Sequence, residues 1–156
     1  MEISFSKKGS GHHIISCKRK NGTVTWMHSD SFFILHDLCH YAVETGLALK
    51  KAFYGMLAAG TDINDFELPK EKRTVEFTEE AIWTEQLVNL LTIEYSQGKM
   101  EHFINTLNEV CGKNNIDMPP AINYEKLDQI RHSFKILMNQ WHLLPEGETM
   151  TLIFER

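Results

Sequence analysis

The chain is poor in the features that mark several common kinds of protein. It has only three cysteines, Cys17, Cys39 and Cys111, odd in number and widely scattered. They exclude a disulfide framework and point to a reducing compartment. No stretch approaches the roughly 20 consecutive apolar residues of a membrane helix, and the opening MEISFSKKGSG lacks the apolar core of a secretory signal. Basic residues are outnumbered, 16 Lys and Arg against 21 Asp and Glu, for a net charge of −5. Their one modest run, Lys18-Arg19-Lys20, falls at a turn and reads as solvated. A nucleic-acid backbone or an anionic membrane needs clustered cations, so neither is expected as a partner. The glycines show no phosphate-loop spacing, and the chain has no internal repeat. A cytoplasmic protein is the expectation.

At 156 residues, 42% of them apolar, the chain suits a single domain over 1–156 with one core. Residues 2–6 alternate, Ile3 and Phe5 against polar neighbours, which is the period of a half-buried strand. His13 to Lys20, the dipeptide Asn21-Gly22 and Thr23 to Met27 form a hairpin signal, since Asn-Gly readily takes the positive φ of a tight turn. Phe32 to Gly46 follows as a helix capped from Ser29, Asp30 or Ser31, and Leu47 to Ala59 resumes a helical pattern. Thr61 to Thr74 reads as a long loop, of the kind that is often functional.

Thr78 caps a third helix that ends near Gln97, with Phe77 placed to staple against Ile82. Met100 to Val110 repeats at three and four as a shorter helix, and Asn114 to Pro120 is loop. A last helix runs from Asn123 to about Trp141, and a strand from Glu148 to Phe154 must pair with the N-terminal sheet. The predicted class is α+β: a small antiparallel sheet of three N-terminal strands and one C-terminal strand, packed against about five helices. Trp26, Trp83 and Trp141 read as core or interface aromatics, and Cys39 as a small core residue.

The only dense cluster of chemistry lies on the helix from Phe32 to Gly46. At about 100° per residue, His36, His40 and Glu44 share an arc of about 80°, with Asp37 just beyond it. The opposite arc, from Ile34 to Val43, is apolar, so the helix is mostly buried. Histidines at i and i+4 present two imidazoles to one point, the spacing of the H-E-x-x-H zinc helix. Here Asp37 stands where that motif has its glutamate. The expected ligands of a divalent metal are His36, His40 and Glu44, with zinc favoured by the imidazoles. Glu44 lies about 12 Å along the axis from His36, so it either binds from the far side of His40 or fixes that ring. A further ligand is expected from His12, His13 or His28, less so from His142 or the loop at Asp62. If the protein is an enzyme, the reaction is metal-assisted hydrolysis with Asp37 or Glu44 as base. The competing reading is a non-catalytic structural or interaction domain, in which the histidines and carboxylates form an internal hydrogen-bond network.

Two resemblances attach to these residues. Ile34-Leu35-His36-Asp37-Leu38 resembles the LLHD segment of HD-domain phosphohydrolases, which implies a His-Asp pair binding a metal that activates water against a phosphoester. That family is all-helical, whereas the segment upstream of His36 here reads as a hairpin. The run His36 to Glu44, HDLCHYAVE, with Ala52 to Gly60 and the late Trp141 and Leu144-Pro145, is similar to a group of small bacterial proteins. That group carries no established activity; it implies a bacterial origin and no substrate. Small-molecule substrate, protein partner and oligomeric state are not encoded in any motif.

Overall fold

Alternation in the opening segments builds the sheet. The computed structural model describes residues 1–118 and 122–155. Strands β1 (Glu2–Ser6), β2 (His13–Lys18) and β3 (Val24–Ser29) pair antiparallel, and Gly22 takes the expected positive φ in the hairpin turn, +85°. The C-terminal strand β4 (Thr149–Ile153) lies antiparallel to β1, Glu2 opposite Ile153 and Ser6 opposite Thr149, for the order β3-β2-β1-β4. Ile3, Phe5, Ile15 and Cys17 are fully buried on one face. That face is covered by helices, and the architecture is α+β as expected.

Helix α1 (Ser31–Gly46) crosses the centre, against α3 (Glu79–Gln97) on one side and α5 (Tyr124–Leu143) on the other. Its N-cap is Asp30, whose carboxylate accepts from the backbone N–H groups of Phe32 and Phe33. Its last turn touches α5 so closely that a Cβ on Gly46 would stand 2.8 Å from Ile130 Cγ1. The short α4 (Phe103–Lys113) packs on α3. Arg131 of α5 grips Glu94 of α3 with two hydrogen bonds, 2.7 and 2.6 Å, and so ties the two long helices together. The expected loop from Asn114 to Pro120 is described as far as Met118; Pro119 and Pro120 lie outside the described residues.

The segment Leu47 to Ala59 departs from the continuous helix its pattern predicts. Only α2 (Phe53–Ala59) is helical. Ala48 turns into the left-handed region at φ +54°, and the N–H groups of Lys50 and Lys51 donate to Glu80 in the first turn of α3 instead of to carbonyls of their own turn. The helix therefore restarts at Phe53, and Gly55 packs against the Lys50 backbone where a Cβ has no room.

The connection from Gly60 to Thr78 is a strap, fastened to β3 and built partly of short 3-10 turns at Ile63–Glu67 and Lys70–Lys72. Ile63 N–H donates to Thr25 Oγ1, Asn64 Nδ2 donates to the Trp26 carbonyl, and Arg73 closes the strap on itself by donating to the carbonyls of Leu68 and Phe66. Thr78 caps α3 as expected. Trp83 and Trp141 are buried, whereas Trp26 is half exposed on β3. Among the described residues no helix is long and apolar enough to cross a membrane.

The Thr84 hydroxyl on α3, fully buried, has no hydrogen-bond partner among the described residues. Thr84→Val removes that orphan at nearly constant shape. It should stabilise the protein by about 1 kcal/mol, which a thermal melt would read as a rise of roughly 2–4 °C. A fall in Tm would mean that the hydroxyl has a partner in solution.

Candidate metal centre

The two histidines of α1 meet a third group that comes from the neighbouring helix. His36 Nε2 lies 3.2 Å from Glu85 Oε1, and His40 Nε2 lies 3.1 Å from Glu85 Oε2. Ligand atoms of His36, His40 and Glu85 all fall within 4.8 Å of one another, so the three residues could hold one metal ion. The i, i+4 spacing places the two rings on one side of α1, edge to face with centroids 4.8 Å apart and planes 61° apart. The packing of α3 against α1 then brings Glu85 across from both. Asn89, one turn further along α3, donates to Glu85 Oε1 and steadies that carboxylate.

The opposite nitrogens face carboxylates too. His40 Nδ1 is 3.3 Å from Glu44 Oε1, and His36 Nδ1 is 4.0 Å from Asp37 Oδ1. Each ring thus lies between two acidic groups. Burial works against charge on both rings, but the neighbouring carboxylates outweigh it: Asp37 and Glu85 lift His36 to about 9. His40 is raised as well, by Glu44 and Glu85. Glu85, although its partial burial resists ionisation, is held far below the usual carboxylate range by the two imidazoles. Burial pushes the Asp37 carboxyl upward, and His36 pulls it part of the way back.

Glu44, expected to be a ligand, does not join the convergent point. Its side chain is completely buried, and it accepts hydrogen bonds from the backbone N–H groups of Tyr54 and Gly55 at the start of α2. The carboxylate sits where the first free N–H groups of a helix need an acceptor. Of the two positions open to it, the structure has it fixing the His40 ring from the Nδ1 side. Asp37 lines the cavity beside His36, and its backbone carbonyl accepts from the Tyr54 hydroxyl.

Among the described residues none of His12, His13, His28, His142 or Asp62 belongs to the convergent group. His13 Nε2 is 3.2 Å from Ser31 Oγ and its ring stands edge-on to Trp141, while Asp62 caps the 3-10 turn of the strap. Glu85 is the residue that sequence reasoning missed. Its one signal is a carboxylate set among buried Trp83, Thr84, Leu87 and Val88.

The group opens onto a cavity of about 390 Å³. The Glu85 side chain is 44% accessible and the His36 side chain 16%, so solutes can reach the Nε2 side, while His40 is almost sealed at 4%. Phe77, just before α3, stacks on Phe66 with planes 14° apart, and both rings line the cavity wall together with Ile82, the residue against which Phe77 is predicted to staple.

Comparison with protein-family models, with curated proteins and with solved structures finds no match for this chain.

Proposed function

We propose that the protein binds one divalent metal ion, zinc in the first instance, through His36, His40 and Glu85, and uses it for metal-assisted hydrolysis in the adjoining cavity. The observation that carries this reading is the orientation of the rings. Both Nε2 atoms converge on Glu85, while His40 Nδ1 is within hydrogen-bond distance of Glu44, 3.3 Å, and His36 Nδ1 has Asp37 as its nearest carboxylate at 4.0 Å. An imidazole whose Nδ1–H points at a carboxylate presents its Nε2 lone pair outward, which is the carboxylate–histidine–metal arrangement. The spacing is of the right order: donor atoms about 2.0–2.1 Å from a tetrahedral ion stand roughly 3.3 Å from one another, and here the His36 and His40 Nε2 atoms lie 3.2 and 3.1 Å from the two Glu85 oxygens, with one ligand atom from each residue falling within 4.8 Å of the others.

Charge supports the same reading. Among the described residues no lysine or arginine forms an ion pair with Asp37, Glu44 or Glu85. Without a metal, the two imidazoles satisfy these carboxylates only by carrying a second proton each. One dication in place of the two Nε2 protons leaves the net charge unchanged. Three protein ligands and an accessible side are the pattern of a catalytic rather than a structural zinc site. Asp37 lines the cavity, and its 4.0 Å separation from His36 Nδ1 is too long for a hydrogen bond that would commit its carboxylate to that ring, so it is the candidate base that takes a proton from water on the cavity side.

A second reading has one observation in its favour: each His40 nitrogen already has a carboxylate partner. On that reading the cluster is a structural network with no ion. Elemental analysis of tag-free protein decides between them. Near-stoichiometric metal in the parent, lost in His36→Ala and in His40→Ala with the circular dichroism of both unchanged, is the expected result. No metal in any sample after incubation with zinc, manganese and iron(II) would leave the structural network as the answer.

A further inference from the structure

The walls of the cavity carry information about what the ion would act on. Its polar end is acidic: His36 and His40 are accompanied there by Asp37 and Glu85, and Glu67 adds a further carboxylate to the lining. From that end an aromatic wall runs outward. The Phe53 ring lies 5.2 Å from His40, Phe66 lies 4.8 Å from Phe53, and Phe77 stacks 5.6 Å from Phe66. The rim is apolar as well: Phe33, Phe77 and Ile82 line the cavity while 45%, 36% and 38% exposed. Large apolar side chains left in water around a concave site mark a place where apolar surface is covered by a ligand.

Among the described residues the lining has one fixed cation, Arg73, and it is not turned to the polar end. Its guanidinium lies over Phe77, 4.7 Å from the ring centroid, and donates to the carbonyls of Phe66 and Leu68. Arg73 is therefore a positioning residue for the strap that carries Phe66. Among the described residues no Arg or Lys is turned to the polar end, so a phosphoester headed for the ion would meet the carboxylates of Asp37, Glu67 and Glu85 with the ion alone to neutralise it.

From these walls we infer that the site takes an uncharged acyl compound, an ester or amide type carbonyl on an aryl or medium-chain alkyl body. Its carbonyl oxygen faces the metal, and its body lies along Phe53 and Phe66 toward Ile82. This inference rests on the metal-binding reading above. A cavity of about 390 Å³ accommodates a body of this size. The chemistry expected of the group differs from the phosphoester that the short likeness to HD-domain phosphohydrolases implies.

The test uses cobalt(II)-loaded protein, whose visible absorption reports changes at the ion, after elemental analysis has counted the cobalt. Benzohydroxamic acid, acetohydroxamic acid and inorganic phosphate are the probes; the first two share a carbonyl-based chelating head and differ only in the body. Benzohydroxamic acid should bind on the order of thirtyfold more tightly than acetohydroxamic acid, the ratio expected from burying a phenyl group. Phosphate should leave the spectrum unchanged. Phe66→Ala, and separately the rim variant Ile82→Ser, should shrink the ratio several-fold while cobalt content stays at one per chain. Equal affinity for the two hydroxamates, or phosphate binding more tightly than either, would overturn the ligand class and leave the metal site standing. Failure to take up cobalt would overturn both.

Discussion

The Glu85→Ala protein is expected to bind zinc roughly two to three orders of magnitude more weakly than the parent. A full set of structural zinc ligands supplies apparent binding free energies of about 10–16 kcal/mol, so one of three or four ligands accounts for several of them. Competition against a chromophoric chelator would measure the loss. The helix should survive it, since Glu85 is accessible and sits within α3 with no capping role. Removing this carboxylate also removes the acceptor that both Nε2 atoms face. Glu85→Gln is informative beside it: the shape remains while the charge is lost, so intermediate affinity is expected. Zinc affinity unchanged in Glu85→Ala would show that any ion is held elsewhere, and the assignment of this residue would fall.

Glu44→Ala should behave in the opposite way, with a large effect on stability and a smaller one on metal. The Glu44 carboxylate is fully buried and accepts from Tyr54 N–H, Gly55 N–H and the His40 ring. Its removal orphans two buried backbone donors at the start of α2 and leaves the Nδ1 side of His40 unpaired. Breaking a buried, hydrogen-bonded charged group of this kind costs about 3–5 kcal/mol, and a chain of this length loses on the order of 10 °C in Tm. Metal affinity should drop about 10–100-fold, the range for residues that orient a ligand. Glu44→Gln retains an oxygen acceptor for the two N–H groups and should recover part of the stability. A Tm within 2 °C of the parent for Glu44→Ala, read against this protein's own melt, would remove Glu44 from the fold's supports. The two variants together separate a residue that binds an ion from one that aims its partner.

Much of this was legible in the chain because it depends on local spacing. The alternation of Ile3 and Phe5, the Asn21-Gly22 turn, a cap of α1 among Ser29, Asp30 and Ser31 and the cap at Thr78 each follow from backbone geometry within a few residues. The i, i+4 pair of His36 and His40 is of the same kind, since helical pitch alone puts the two rings on one side. Where local spacing was misleading, a distant group intervened. The pattern from Leu47 to Ala59 predicts one helix, yet the carboxylate of Glu80 takes the N–H groups of Lys50 and Lys51 and the chain turns there instead.

Periodicity and turn chemistry act along the chain, so the class of fold, the helix that carries the chemistry and the pair of histidines upon it can be read from the residues in order. The rest follows from packing between segments distant in the chain. Glu85 is 45 residues from His40, and nothing local says which face of α3 meets α1. Glu44 has the right spacing for a ligand, but the free N–H groups of α2 claim its carboxylate, and their position depends on the turn at Ala48. The cavity is likewise a product of assembly, formed where the strap anchored to β3 lays Phe66 against Phe53. A hydrogen-bond acceptor goes to the donors that packing brings nearest, and that choice is made among segments far apart in the chain.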